Sequence, residues 1–176
     1  KYMQGIPMFG GQERQIVYGA RDRVDEVYDM TRSVRDKQYL YIRNYHPHLG
    51  YAQPSVFSDL GEIRDEITGM AAKNLEAMTS PQRHYAGPTR AIEEFYDCEA
   101  DPQNLNNLAM QKLTGEQSAT LDRLRKAFVR ERKAILDSGG LIESEVWNLV
   151  RDENAPLRDI LTGKTNHKPD LEGAWS

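Results

Sequence analysis

Two stretches near the start of the chain alternate with a period of two. Residues 28–35 (YDMTRSVR) place Met30, Arg32 and Val34 on one side. Residues 38–44 (QYLYIRN) place Leu40 and Ile42 on one side and Tyr39, Tyr41 and Arg43 on the other. That period, with aromatic and β-branched residues, predicts two strands. Asp36-Lys37 between them predicts the turn of an antiparallel hairpin. Residues 15–20 (QIVYGA) read as a strand before it, residues 21–26 (RDRVDE) as a charged loop, and residues 93–97 as a later short strand.

Elsewhere the apolar spacing turns helical. Leu60, Ile63, Ile67, Met70, Ala71, Leu75 and Met78 recur at intervals of three and four, and Ser58 stands where a cap belongs. Ser80-Pro81 opens a second, short helix that Gly87-Pro88 closes. Thr114 and Gln117 form a capping box ahead of the best helix pattern in the chain. Its stripe is Leu121, Leu124, Phe128 and Ile135, with Arg123, Arg125, Arg130, Arg132 and Lys133 facing mostly outward, and Ser138-Gly139-Gly140 stops it near Asp137. A further short helix is expected at 143–150 around Trp147, and a turn of helix at 157–161. Residues 45–57, with Pro47, Gly50 and Pro54, read as a long loop. The sum is an α+β fold: a small antiparallel sheet of about four strands packed against a long C-terminal helix. Residues 15–150 hold it, with a helical insert at 58–86, a loop at 1–14 before it and a polar tail at 151–176 after it.

Composition narrows the function classes. The 176 residues are 39% hydrophobic and 28% charged, and the net charge is −4, so a global electrostatic case for nucleic acid is absent. No apolar run is long enough to span a membrane. One cysteine, Cys98, excludes an internal disulfide. A mean hydropathy of −0.73 implies a very polar surface, much of which stays in water or lies against a partner.

Residues 94–109 read EFYDCEADPQNLNNLA. They resemble the "ELYDL…DP…NLA" phrase near the C-terminal end of sulfatases. Residues 18–45, YGARDRVDEVYDMTRSVRDKQYLYIRNY, resemble the "ARDR-x-DE…R-x-VRD-x-RYKYIRN" stretch of bacterial sulfatases similar to N-sulfoglucosamine sulfohydrolase. Residues 141–145 (LIESE) stand where those relatives carry "G-x-IPE". Gln103-Asn104 departs from the family's His-Glu after DP, and Leu40 from its Lys, which loosens any reading of a particular substrate.

The resemblance implies the C-terminal subdomain of a larger enzyme of the alkaline phosphatase-like superfamily, with residues 1–14 left over from its catalytic domain. A periplasmic or extracellular parent acting on sulfated glycans such as glycosaminoglycans is implied with it. The family nucleophile, a formylglycine made within C/S-x-P-x-R, and the family Ca²⁺ would belong to the upstream domain, because that motif is missing here. No catalytic residue and no cofactor is therefore assigned to this chain. Its expected partners are the upstream catalytic domain and a sulfated carbohydrate, with neither nucleic acid nor membrane. Two rival readings are a non-enzymatic module that binds sulfated polysaccharide, and part of a related phosphodiesterase or phosphonate hydrolase.

Candidate substrate contacts are Arg21, Arg23, Asp25, Glu26, His46 and His48. Arginine forks suit sulfate and carboxylate, and acidic side chains suit sugar hydroxyls. The competing reading of 21–26, Asp22 included, is an internal salt-bridge cluster. That of His46 and His48 is polar loop, because an i, i+2 pair without further ligands is poor metal spacing. Cys98 reads as a small buried hydrophobe. Arg32, Arg35 and Arg43 read as ion-paired or covering the sheet edge, and most tyrosines as sheet core.

Overall fold

A computed structural model describes residues 7, 9–24, 26–140, 148, 150 and 151. Within them an antiparallel sheet runs β1 (Val17–Val24), β2 (Val27–Arg35), β3 (Tyr39–Asn44) and β4 (Glu93–Asp97), in spatial order β1-β2-β3-β4. The expected hairpin is β2–β3, in register through Val34↔Tyr41 and Arg35↔Leu40. Asp36 fixes its turn by accepting the Gln38 and Tyr39 backbone N–H groups at 2.9 and 2.6 Å.

Both ends of β1 differ from the sequence reading, and β2 and β3 each start one residue away from it, at Val27 and Tyr39. Residues 15 and 16 lie outside β1, and residues 21–24 are strand where a charged loop was expected. Low strand propensity yields here to pairing: Arg21↔Thr31, Arg23↔Tyr28 and Val24↔Val27, with a bulge between Arg21 and Arg23. The chain reverses between Val24 and Val27, which are paired.

The helices are α1 (Glu62–Asn74), α2 (Ser80–Ala86) and α3 (Gly115–Ile135), with single 3₁₀ turns at Ser58–Leu60, Leu75–Ala77 and Leu108–Met110. Ser58 does not cap α1. Ser55 does the local work instead: its hydroxyl accepts the Ser58 N–H at 3.3 Å while its own N–H is taken by the Asp59 carboxylate at 3.1 Å. The α2 cap is Thr79, one residue ahead of the expected Ser80, with its N–H held by the Gln82 side chain at 2.9 Å. The α3 capping box is present as expected, Gln117 N–H to Thr114 Oγ1 at 3.2 Å and Thr114 N–H to Gln117 Oε1 at 3.0 Å.

The core lies between one sheet face and α3. Val34, Tyr41 and Phe95 stand side by side on β2, β3 and β4 and meet Leu121, Leu124 and Phe128. Tyr39 stacks on Phe95 at 5.2 Å, and Tyr41 meets Phe128 edge-on at 5.4 Å. The opposite face is closed over by loops. Arg90 N–H reaches Pro47 O, Ala52 N–H reaches Tyr85 O, and the Asn44 amide reaches Ala91 O. The helix expected at 143–150, the LIESE stretch, the turn at 157–161 and the tail from 152 on fall outside the described residues, apart from 148, 150 and 151.

Candidate functional site

Chain reversal after β1 brings Arg23 and Tyr28 opposite each other, and the loop after β3 folds His46 back against them. The Arg23 guanidinium lies 6.0 Å from the Tyr28 ring centroid. Tyr28 meets His46 edge-on at 5.3 Å, and His46 meets His48 edge-on at 5.7 Å. His46 Nδ1 accepts the Met30 N–H at 3.2 Å, so in its neutral form Nε2 carries the ring proton and is a donor. Arg23, His48 and Glu26 are exposed, and Tyr28 is partly so. Glu26 accepts the Val56 N–H at 3.3 Å, which draws the loop at 55–57 to the same edge. Asp25 lies outside the described residues.

Arg21 and Asp22 are instead tied by ion pairs to buried partners, while staying partly exposed themselves. Arg21 pairs with Asp29 at 3.4 Å and donates to Gln53 at 3.4 Å. Asp22 accepts Arg32 Nη2 at 2.6 Å. For these two the geometry is that of the internal ion-pair cluster. Asp29 is fully buried, held also by Arg90 and by the Gln53 amide at 2.8 Å.

Arg32 and Asp137 form a second buried cluster that the sequence pattern did not show. Arg32 is 1% exposed on the second of four strands, so it covers no sheet edge; the ion pairing expected of it is present. Its Nε and Nη2 meet the two oxygens of Asp137 at 2.8 Å each, and Nη1 donates to the backbone oxygens of Arg21 and Thr31. Arg132 Nε reaches Asp137 at 2.7 Å and its Nη1 reaches Tyr45 Oη. Arg132, expected to point outward, is 0% exposed: it lies four residues beyond Phe128, so α3 itself carries it inward. Burial raises the pKa of the Asp137 carboxyl, but the Arg32 hydrogen bond, the Gly139 N–H and Arg132 together outweigh it and hold the group well below the usual carboxylate range.

A third buried cluster centres on Glu94, which accepts Asn44 Nδ2 and Tyr51 Oη at 2.5 Å each and Tyr96 Oη at 2.7 Å. Burial, then Glu94, pushes both tyrosine hydroxyls above their ordinary range. Cys98 is half-buried, its Sγ 3.4 Å from Asn104 Oδ1, and burial pushes its thiol up, away from a reactive thiolate.

Among the described residues no group of three or more His, Cys, Asp or Glu is placed to hold a metal ion. The paired rings of His46 and His48 gain no third ligand, so a Ca²⁺ of the sulfatase type does not fit these residues. Residues 79–83 read Thr-Ser-Pro-Gln-Arg, one residue from C/S-x-P-x-R. Thr79 is the cap of α2, and a secondary hydroxyl cannot yield the aldehyde that a formylglycine requires. No helix among the described residues is long and apolar enough to cross a membrane.

No family model matches the chain. It is 33% identical over 184 aligned residues to the ulvan-active sulfatase of Formosa agariphila, and the alignment covers 99% of this chain. It covers 30% of that protein, so the chain is sulfatase-related and spans under a third of the length of the curated relative it matches.

Proposed function

We propose that the chain is the C-terminal subdomain of a sulfatase acting on a sulfated glycan, formed by residues 15–150. In this reading it braces a catalytic domain that holds the nucleophile and metal, and lends the edge bearing Arg23, Tyr28, Glu26, His46 and His48 to the substrate pocket. The observation that carries the reading is similarity to a sulfatase along 99% of the chain. The α+β fold that the sulfatase phrases imply for this segment agrees with it. We also propose a parent that works in the periplasm or outside the cell, as the family phrases in the sequence imply.

The chemistry of that edge suits the ligand. Arg23 and a protonated His46 Nε2 are donors matched to sulfate and hydroxyl oxygens, and the Tyr28 ring offers a face to the apolar side of a pyranose. Arg21 pairs with Asp29 and Gln53 behind that edge.

The test is made on the protein translated from the complete open reading frame containing this chain. It is expected to cleave sulfate from an ulvan oligosaccharide, whereas residues 1–176 alone are expected to release none. R23A and H48A, both at exposed positions, are expected to raise KM for that oligosaccharide roughly tenfold each, about one charge-assisted hydrogen bond, with Tm unchanged. Sulfate release by residues 1–176 alone refutes the subdomain reading, and unchanged KM in both variants refutes the role of this edge.

A further inference from the structure

Large apolar side chains crowd one short stretch of the surface. Val56, Phe57, Leu60 and Ile63 are 70, 84, 80 and 79% exposed. They make an apolar stripe along the chain at residues 56–63, from the two residues ahead of the 3₁₀ turn at Ser58–Leu60 to the first turn of α1. No residue of α1 is buried. The helical periodicity that marks residues 60–78 as amphipathic thus ends in burial only at Met78. A stripe of this kind on an otherwise very polar chain is an interaction surface rather than scattered exposure.

The other faces are already used or unsuited. One sheet face is filled by α3 and the other is closed by residues 45–53 and 85–91. The outer side of α3 is charged and tied back to the sheet, Arg123 to Asp36 and Arg125 to Glu93. The rim of the stripe is acidic: Glu62, Asp65 and Glu66 are exposed and make no ion pair among the described residues, while Asp59 pairs with Arg64. The sulfatase that this chain resembles has seven-tenths of its length outside the match, a body large enough to cover such a stripe.

Resting on the reading of the preceding subsection, we propose that Val56, Phe57, Leu60 and Ile63 seat this subdomain on the catalytic body of its sulfatase. The receiving surface is an apolar recess with Lys or Arg at its rim. The docking element is therefore the helical insert, and the sheet and α3 stand behind it as support.

Hydroxyl-radical footprinting of the complete open reading frame product tests this, with the urea-unfolded protein as reference for each residue. Phe57, Leu60 and Ile63 are expected to label at least fivefold more slowly in the folded protein. The triple variant F57S/L60S/I63S is expected to leave the Tm of residues 1–176 unchanged while lowering that of the long protein. Labelling within twofold of the unfolded reference, in a product that does contain a sulfatase body, overturns the docking surface and leaves the sulfatase reading standing. Protection that fades on dilution assigns the stripe to a second copy and also overturns it. A reading frame with no C/S-x-P-x-R body removes both together.

Discussion

Asp137→Asn is the substitution on which the packing argument can be tested most sharply. The Asp137 carboxylate accepts at least five donors among the described residues. Arg32 Nε, Arg132 Nε and Tyr18 Oη meet Oδ2 at 2.8, 2.7 and 3.0 Å, and Arg32 Nη2 and the Gly139 N–H meet Oδ1 at 2.8 and 3.0 Å. An asparagine oriented to keep its oxygen at the Oδ2 position turns its NH₂ toward Arg32 Nη2 and Gly139 N–H, donor against donor. Two guanidinium groups with side chains at most 1% exposed lose the charge between them. Removing one partner of a buried ion pair costs about 3–5 kcal/mol. With a urea slope of about 2 kcal/mol/M, the midpoint should fall by about 1.5–2.5 M, and Tm by roughly 6–20 °C for a chain of this size.

The sign of the pH dependence follows from the lowered carboxyl. The folded state binds the Asp137 proton more weakly than the unfolded state, so its contribution is fully present above the unfolded pKa of about 3.9 and is lost as pH falls through the lower folded value. Asp36, Glu93 and Asp97 are also lowered, so wild type and variant both weaken in acid. The informative quantity is the gap between them, which should be constant from pH 7 to 5 and shrink below pH 4. A D137N protein within 1 kcal/mol of wild type at pH 7, or a gap that stays the same down to pH 2, refutes the claim that this carboxylate holds the end of α3 to β2.

Two further substitutions probe separate parts of the fold. A Cβ on Gly139 would collide with Arg32 Nη2 and lie 2.6 Å from Asp22 Oδ1; G139A should therefore lower stability by about 1–3 kcal/mol in chemical denaturation, and a neutral result shows that residues 137–140 can shift freely. Leu124 is fully buried beneath the sheet; L124A should cost about 2–5 kcal/mol with the urea slope preserved, and a loss under 1 kcal/mol places the core elsewhere.

What the sequence made legible was local. The β2–β3 hairpin showed because alternation and a turn lie within one short window. The α3 start showed because Thr114 and Gln117 sit three residues apart, and its stripe because Leu121, Leu124 and Phe128 follow the helix period. Charge type misled the reading of Arg132: the period that placed Phe128 inside places position 132 inside as well, and only a buried carboxylate makes that tolerable. That carboxylate is five residues on, in a turn that the Gly-Gly stop obscured. Leu136 adopts the left-handed conformation at φ 56°, a position usually left to Gly, at a cost of about 1–2 kcal/mol. The turn so formed points Asp137 back under the helix to Arg32, 105 residues away in sequence. No window of local pattern could show that pairing, nor Arg90 against Asp29, 61 residues apart.

The same pairing explains how the candidate edge is held. Arg32 takes the Arg21 backbone oxygen and the Asp22 carboxylate, and so pins the last turnward residues of β1 from inside. Tyr28 Oη donates to Gly139 O at 2.9 Å, which pins the first residues of β2 to the segment that follows α3. Arg23 and Tyr28 therefore stand on a frame fixed at both ends by the α3 C-terminus. An exposed edge of charged residues, which alone would favour a mobile loop, is instead built into a bulged strand pair. The clamp has this consequence for binding: weakening it at Asp137 should loosen the spacing of Arg23, Tyr28 and His46 before the sheet itself opens, because the Ser33↔Ile42, Val34↔Tyr41 and Arg35↔Leu40 pairs and the Val34, Tyr41 and Phe95 core lie on the far side of Arg32.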